Sequence, residues 1–401
     1  MSSEITENRL LFHTGHSHHA KNTVRIPESH TLHVGPASCA RRHVIKALEN
    51  EDAEHISHLS ISEENLALGS YEEEIIDAID DLNLMLPKKP KVYFICLKCI
   101  DDLIGTDHES LLDTLKTNHP EQLFAITHID PIKLSSTVSP FEQNKVTQYQ
   151  FIEAGQERDE GVTLVGSYAD IPESCELRDV LRHWNMGPIR RILDCKSYEE
   201  YQALGKSKLA IIMSPMGERA ARELNAITGM PCCNAPQDYS PKDCLRFYRE
   251  IAEYSGKDEP EELLTWEQKS KDMLRQTAEQ TKNFGLVVDS SASLQSFHLA
   301  KTLIEYGFKV VCVTTKEVKK RERDSYEWIL EHSPETKIVR THSYKVLADK
   351  DYELDGDLIV IGADYANMIG AKRVVDMWHD EGFFGFRGII KLCQMIAKAA
   401  K

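Results

Sequence analysis

The stretch Val92-Tyr93-Phe94-Ile95, which is followed four residues later by Cys99, sets the pattern for the fold. A short apolar run of this kind is typical of a strand that is buried on both faces, as in the parallel sheets of α/β proteins. Cys99 then opens the segment Cys99-Ile100-Asp101-Asp102-Leu103-Ile104-Gly105-Thr106-Asp107. A thiol at the end of such a strand is accessible, so Cys99 is a candidate ligand for a metal cluster.

A second cysteine lies in a similar position. The segment His33-Val34-Gly35-Pro36-Ala37-Ser38-Cys39-Ala40 places Cys39 at a turn. Cysteine thiolates hold iron–sulfur clusters, usually four thiolates to a cluster. Because this pattern supplies two per chain, we expect a cluster that is shared with a partner chain.

Further apolar runs recur along the chain and alternate with amphipathic stretches, which predicts βαβ units and parallel sheets. The candidate strands lie at 92–95, 123–126, 162–165, 189–193, 209–212, 286–288, 310–313 and 358–361. Small or polar residues follow several of these strands, where parallel sheets bind their ligands, although ordinary turn chemistry also explains such residues. The candidate substrate-binding residues are Ser167, Met213, Ser214, Arg219 and Ser290.

The length of 401 residues exceeds that of one ordinary core and indicates two or three domains. The alternation is interrupted by a polar stretch at about 140–160, and by a charged stretch at 258–283 that is typical of an exposed helix. We therefore expect a His-rich N-terminal arm and three α/β domains, the last of which ends in a C-terminal helix. Their predicted ranges are 1–24, 25–158, 159–275 and 276–401.

Composition narrows the class of function. The net charge of −16 disfavours binding to nucleic acid, and no apolar run approaches the roughly 20 residues of a membrane helix. The N-terminus shows no secretory signal, so the ten cysteines are expected to be reduced in the cytoplasm. Neither a Gly-x4-Gly-Lys-Ser/Thr segment nor a Gly-x-Gly-x-x-Gly fingerprint occurs, so we expect the chain to bind neither ATP nor NAD.

The cysteine segments resemble those of the nitrogenase component 1 superfamily, which includes the molybdenum–iron protein subunits, cofactor-assembly scaffolds and tetrapyrrole reductases. Residues 35–40 resemble its Gly-Pro-x-Gly-Cys-Ala cluster loop, and residues 99–107 resemble its Cys-x5-Gly-Asp-Asp loop, with Thr106 in place of the first Asp. Three further segments resemble the family in the same order along the chain. They are Val165-Gly166-Ser167-Tyr168, Gly229-Met230-Pro231 and Gly382-Phe383-Phe384-Gly385-Phe386-Arg387-Gly388.

The resemblance implies an α/β fold with three Rossmann-like domains and parallel sheets around a central cleft. It implies pairing as a homodimer or with a homologous second subunit, with a [4Fe-4S] cluster shared between the subunits through Cys39 and Cys99 of each. The chain would then be a nitrogenase-like reductase subunit, an oxidoreductase of unknown substrate. It would relay low-potential electrons from an ATP-dependent iron protein through that cluster to a substrate in the cleft.

Two other functions are compatible with the same residues. The chain could be a non-catalytic scaffold for cluster or metallocofactor assembly, which would carry a transferable cluster without turnover. It could also be a binding module that has lost its cluster, in which case Cys39→Ala would be silent.

The chain departs from the family at its ligand positions. Members with the large interface cluster carry a third cysteine upstream, where this chain has Phe12-His13-Thr14-Gly15-His16. Either two chains contribute Cys39 and Cys99 to one cluster, or His13 or His16 supplies a nitrogen ligand. The family's cofactor cysteine falls near Ser214 and its histidine near Val375. Met213 is a poor ligand beside a thiolate, so we do not expect dinitrogen reduction.

Proton donors are needed if the chain reduces a substrate. The segment Trp378-His379-Asp380-Glu381 places an imidazole beside carboxylates, so His379 is a candidate catalytic acid, although a surface or core position explains it equally well. Glu218, which follows a predicted strand, is a second candidate, and Asp289 is a weaker one.

Overall fold

A computed structural model of the chain describes residues 25–36, 38, 39, 55–129, 140–167, 169–341, 343, 348 and 352–401. The expected α/β class is confirmed, because helices alternate with strands and every strand pairing in these ranges is parallel. The strands form three separate sheets, and each sheet falls within one of the three predicted domain ranges. The domain boundaries themselves stay predictions. The N-terminal arm, with His13 and His16, and Tyr168 lie outside the described residues.

The first sheet has the strand order β2-β1-β3-β4. Its strands are β1 (Ser29–Gly35), β2 (Ile56–Ser60), β3 (Val92–Lys98) and β4 (Leu123–Ile129). Its helices are α1 (Glu63–Leu68), α2 (Tyr71–Met85), α3 (Cys99–Ile104) and α4 (His108–Asn118). β1 and β3 are buried along their whole length, as the apolar run at 92–95 predicts, and apolar side chains of α2 and α4 cover one face of the sheet.

The polar stretch at 140–160 was expected to interrupt the alternation of strands and helices. Instead it contains the helix α5 (Pro140–Tyr149), which packs against β4. Four of its polar residues are buried rather than solvated: Asn144, Lys145, Thr147 and Gln148. Asn144 accepts a hydrogen bond from the backbone N–H of His128 at 3.1 Å and donates one to the carbonyl of His128 at 2.8 Å. A buried amide that pairs with the backbone on both sides costs little, so a polar sequence can form an interior helix.

The second sheet has the order β6-β5-β7-β8. Its strands are β5 (Val162–Val165), β6 (Ile189–Arg191), β7 (Leu209–Ile212) and β8 (Cys232–Asn234). Its helices are α6 (Glu176–His183), α7 (Tyr198–Gln202), α8 (Glu218–Thr228) and α9 (Pro241–Ser255). Buried apolar residues of the first and second sheets form one cluster, and α5 packs on α8, so the first two sheets share a core.

The third sheet has the order β11-β10-β9-β12-β13 and is preceded by the long helix α10 (Glu262–Gln280). Its strands are β9 (Gly285–Val288), β10 (Val310–Thr315), β11 (Lys337–Arg340), β12 (Leu358–Ile361) and β13 (Val374–Val375). Its helices are α11 (Ser296–Glu305), α12 (Arg323–His332), α13 (Asp364–Ile369) and α14 (Gly385–Ala399). No described helix combines the length and the apolar content that crossing a membrane requires.

The helices α10 and α14 join the second and third sheets. α10 lies in the charged stretch that was expected to be an exposed helix, but Leu263, Leu274 and Ala278 on one face are buried, and the helix packs against α9 and α14. The start of α14 is fixed by Glu176, the first residue of α6. The carboxylate of Glu176 accepts hydrogen bonds from the backbone N–H groups of Phe386 and Arg387.

Candidate functional site

Cys39 and Cys99 follow the carboxyl ends of two neighbouring strands. β1 ends at Gly35 and β3 ends at Lys98, and the two strands pair directly. Gly35 has φ +145°, and a Cβ atom there would lie only 2.9 Å from Cγ of Lys98. The segments that lead to the two cysteines are therefore in contact at their start, which requires the absence of a side chain at Gly35.

The two thiols differ from most other cysteines in exposure. Cys39 is the exposed cysteine among the ten, and its N–H donates to the carbonyl of Pro36 at 2.9 Å; Cys99 is half-buried at the first position of α3. Elsewhere, burial raises the pKa of the thiols of Cys312 and Cys393 to about 12, which makes them poor ligands and poor nucleophiles. Accessibility thus singles out Cys39, and the strand pairing links it to Cys99.

The surroundings of the two cysteines combine a buried amine with an exposed apolar surface. Lys98 is buried, and its Nζ lies 3.1 Å from Nδ1 of His33. On α3, the neighbouring side chains of Leu103 and Ile104 are 74% and 42% exposed. This apolar pair is suited to contact with another protein surface.

A second group of polar side chains lies where the three sheet-forming segments of the chain meet. Ser167, just after β5, donates from Oγ to Oε2 of Glu381 at 3.1 Å, and the N–H of Ala169 donates to the same oxygen. Lys145 on α5 is buried, which lowers the pKa of its amine to about 7, while the negative charge of Glu381 acts in the opposite direction. Residues from all three sheet-forming segments therefore interact around one carboxylate.

Asp380 lies beside Glu381, and the pKa of its carboxyl group is also shifted toward neutral pH. Burial raises the pKa of its carboxyl group to about 7, against the stabilising effect of its hydrogen bonds. Tyr239 donates to its Oδ1 and the N–H of Leu294 donates to its Oδ2, each at 3.1 Å. Burial therefore shifts the pKa of Lys145 and that of Asp380 toward about 7 from opposite sides.

The predicted catalytic residues occupy different surroundings. His379 has a positive φ of +45°, its N–H donates to the carbonyl of Ser291 at 2.8 Å, and its ring packs on Trp378 with 4.5 Å between centroids. In the sequence, His379 directly precedes Asp380 and Glu381. Glu218 is half-buried at the start of α8, where its Oε2 lies 3.5 Å from Arg222.

The predicted substrate-binding residues fall into two sets. Met213 and Ser214 are buried. They lie near Ser167, because the N–H of Met213 donates to the carbonyl of Val165, two residues before Ser167, at 2.8 Å. Ser290 is half-buried after β9, where its N–H donates to Thr314, and Arg219 is exposed.

The weaker candidate Asp289 is buried, and the structure gives it a structural role. Its Oδ1 accepts from the hydroxyl of Thr314, and its Oδ2 accepts from the hydroxyl of Ser291 and the N–H of Tyr365. Both oxygens of Asp289 are thus engaged within the third sheet.

Sequence reasoning missed Lys145 and did not single out Asp380 or Glu381 within the segment 378–381. The carboxylates beside His379 were a visible signal. Lys145 gave no signal, because it stands in a polar stretch and its role depends on burial by distant residues.

These features define a three-sheet α/β protein whose candidate ligands lie at strand ends and between Rossmann-like units. The family described as nitrogenase component 1 type oxidoreductase matches residues 22–401. The chain belongs to this family, which confirms the superfamily expected from the sequence.

Solved structures agree with this assignment at the level of the fold. A structure of nitrogenase Cp1 at pH 6.5 is 14% identical in sequence and superposes with a TM-score of 0.72, covering 96% of this chain and 91% of that one. A structure of nitrogenase Cp1 at pH 5 is also 14% identical and gives a TM-score of 0.62, covering 96% and 87% of the two chains. No curated protein matches the chain.

Proposed function

We propose that this chain is a reductase subunit that shares a [4Fe-4S] cluster with a second subunit, either a copy of itself or a homologue. Electrons would come from an ATP-dependent iron protein and pass to a substrate in the cleft between the three segments. Family membership supports an oxidoreductase role. The observation that carries the proposal is the contact at Gly35 and Lys98 between the segments that lead to Cys39 and Cys99.

The residues present fit half of a four-thiolate site. Cys39 and Cys99 are free thiols on adjoining segments, and a second subunit would supply the other two. The exposure of Cys39 and of the apolar residues Leu103 and Ile104 supports a subunit contact at this edge of the sheet. When bound, such a cluster supplies one-electron transfer at a potential set by its burial and hydrogen bonds.

The buried polar group formed by Lys145, Asp380 and Glu381 suits proton handling. Reduction of an unsaturated substrate consumes protons, and acids with pKa values near the working pH deliver them best. Lys145 and Asp380, each with a pKa of about 7, meet this requirement, and Ser167 holds Glu381 in place beside them. His379 and Glu218 stay proposed as further proton donors.

The remaining residues are proposed as contacts that orient the substrate. They are Ser167, Met213, Ser214, Arg219 and Ser290. We propose the cytoplasm as the compartment, since ten free cysteines suit a reducing environment.

The test is the iron and sulfide content of the full chain, purified and reconstituted without oxygen, alone and with a homologous partner, together with the EPR spectrum of the reduced protein. We expect about four irons per pair of chains, because two chains complete one four-thiolate cluster. Cys39→Ser and Cys99→Ser should each abolish iron binding. Cys195→Ser, a half-buried thiol in the second segment, is the matched control and should keep it. Iron-free protein after reconstitution would refute the proposal.

The exposure of Cys39 also suits a scaffold that donates its cluster to another protein. Mixing the loaded chain with an apo iron–sulfur protein separates the two functions. Transfer of the cluster without turnover in the presence of the iron protein would indicate a scaffold, whereas retention with turnover would indicate a reductase.

A further inference from the structure

Three metal-binding side chains converge at the carboxyl end of the first sheet. Asp101 lies on α3, His108 opens α4, and His128 lies near the end of β4. One donor atom from each side chain lies within 4.8 Å of the other two. Nε2 of His108 lies 2.6 Å from Oδ2 of Asp101, and the two imidazole rings are tilted at 46° with 5.2 Å between centroids. The three donors thus come from three different elements and meet at one point.

The burial of Asp101 favours a cation beside its carboxyl group. Its side chain is only 1% exposed, and its Oδ1 has no hydrogen-bond partner in the part of the chain that the structure describes. Burial raises the pKa of the neighbouring Tyr71, and the negative charge of Asp101 and a side-chain hydrogen bond with it raise that pKa further. A buried carboxylate is costly unless it is paired, and the contact with His108 engages only Oδ2 of Asp101.

We propose that Asp101, His108 and His128 bind one divalent first-row transition metal ion, with Zn²⁺ as the best fit. Two imidazoles and a carboxylate are a common donor set for zinc, with ligand bonds of about 2.0–2.2 Å. Tetrahedral geometry at that length places the donor atoms roughly 3.5 Å apart, so small side-chain rotations within the observed group are enough. The unpartnered Oδ1 of Asp101 is available to the metal, and a fourth position would hold water.

This site is distinct from the proposed cluster. It uses no thiol and needs no second subunit, so the two proposals fail independently. Asp101 is nevertheless two residues from Cys99 on the same short helix. A metal ion at this site would therefore tie α3 to α4 and β4 and fix the direction in which Cys99 leaves the sheet.

Cobalt binding tests the proposal, since Co²⁺ takes the place of Zn²⁺ and reports its ligands by absorption. The probe is Co²⁺ titrated into the full chain carrying Cys39→Ser and Cys99→Ser, after treatment with EDTA, followed by displacement with Zn²⁺. We expect one Co²⁺ per chain, with visible bands of a nitrogen and oxygen site and without thiolate charge-transfer bands. His108→Gln and His128→Gln should each weaken binding by about 100-fold or more, since even residues that only support a ligand contribute 10–100-fold.

His119→Gln is the matched control. This histidine follows the last turn of α4 and also pairs with an aspartate, with Nε2 2.9 Å from Oδ1 of Asp80, but it belongs to no group of three donors among the described residues. Its replacement should leave the affinity for Co²⁺ unchanged. Circular dichroism would establish that each variant is folded, and Zn²⁺ should raise the Tm of the control but not of His128→Gln. Binding that persists in a variant lacking both His108 and His128, thiolate bands, or no binding by the folded parent would overturn the proposal.

Discussion

Replacing Lys145 by methionine is a direct test of the buried polar group around Glu381 described above. Lys145 is 4% exposed on α5, and burial lowers the pKa of its amine from 10.5 to about 7. Methionine has a similar length and no charge, so Lys145→Met removes the titration while keeping most of the packing.

The sign of the effect follows from proton binding. Because the folded pKa lies below the unfolded one, the unfolded chain binds more protons between pH 7 and pH 10.5. The contribution of Lys145 to stability is therefore most unfavourable at pH 7 and below, and it improves as the pH rises toward 10.5. Integrating the difference for one group gives a gain of about 2 kcal/mol between pH 7 and pH 9 for the wild type relative to the variant.

The measurement is the free energy of unfolding in urea for both proteins at pH 7 and pH 9. The variant should have its largest relative advantage at pH 7, and the difference should shrink by about 2 kcal/mol at pH 9. Lys89→Met, the same substitution at an exposed lysine, is the control and should show no such pH dependence. A difference between wild type and Lys145→Met that is the same at both pH values would refute the assignment of a buried, neutral amine.

Three further predictions concern other parts of the molecule. Asp380→Asn should show the opposite trend with pH. Because the pKa of Asp380 is raised in the folded protein, its contribution to stability is favourable at low pH and is lost as the pH rises to 7. In the same urea assay, the wild type should lose about 2 kcal/mol of unfolding free energy relative to the variant between pH 5 and pH 7. Glu176→Gln should lower the free energy of unfolding by about 1–3 kcal/mol. The carboxylate accepts hydrogen bonds from Tyr248 and from two N–H groups of α14, and an amide cannot serve all three donors. Unchanged stability in urea would contradict this prediction. Leu103→Glu should weaken the proposed pairing of subunits without lowering the Tm, since Leu103 is 74% exposed. Sedimentation velocity measures the pairing. The control Leu68→Glu, at a similarly exposed leucine, should leave the pairing intact.

The apolar runs predict eight of the thirteen described strands, because burial of apolar side chains on both faces leaves a direct mark in the sequence. The strands β1, β2, β8, β11 and β13 were not predicted. β3, β7 and β12 all coincide with short apolar runs, which are too short to form a buried helix of ordinary length. α5 was hidden for the opposite reason. Several of its buried polar side chains bond to backbone groups, as Asn144 does with His128, so much of its burial leaves no apolar pattern in the sequence.

The candidate site divides in the same way. Cys39 and Cys99 were visible because each stands in a local motif that follows a strand. Lys145 and Glu381 are far apart along the chain, and Asp101, His108 and His128 come from three elements. Their chemistry arises from tertiary contacts, which a single sequence does not record.

The contact between Glu176 and α14 has a consequence for synthesis of the chain. α14 is synthesised after all four strands of the second sheet, yet it supplies buried side chains such as Phe386 and Ile389 to the core shared with that sheet. The second segment therefore cannot complete its interior until α14 has also been synthesised. A variant that lacks α14 would leave an open apolar surface on the second segment, so it is expected to aggregate or be degraded rather than fold.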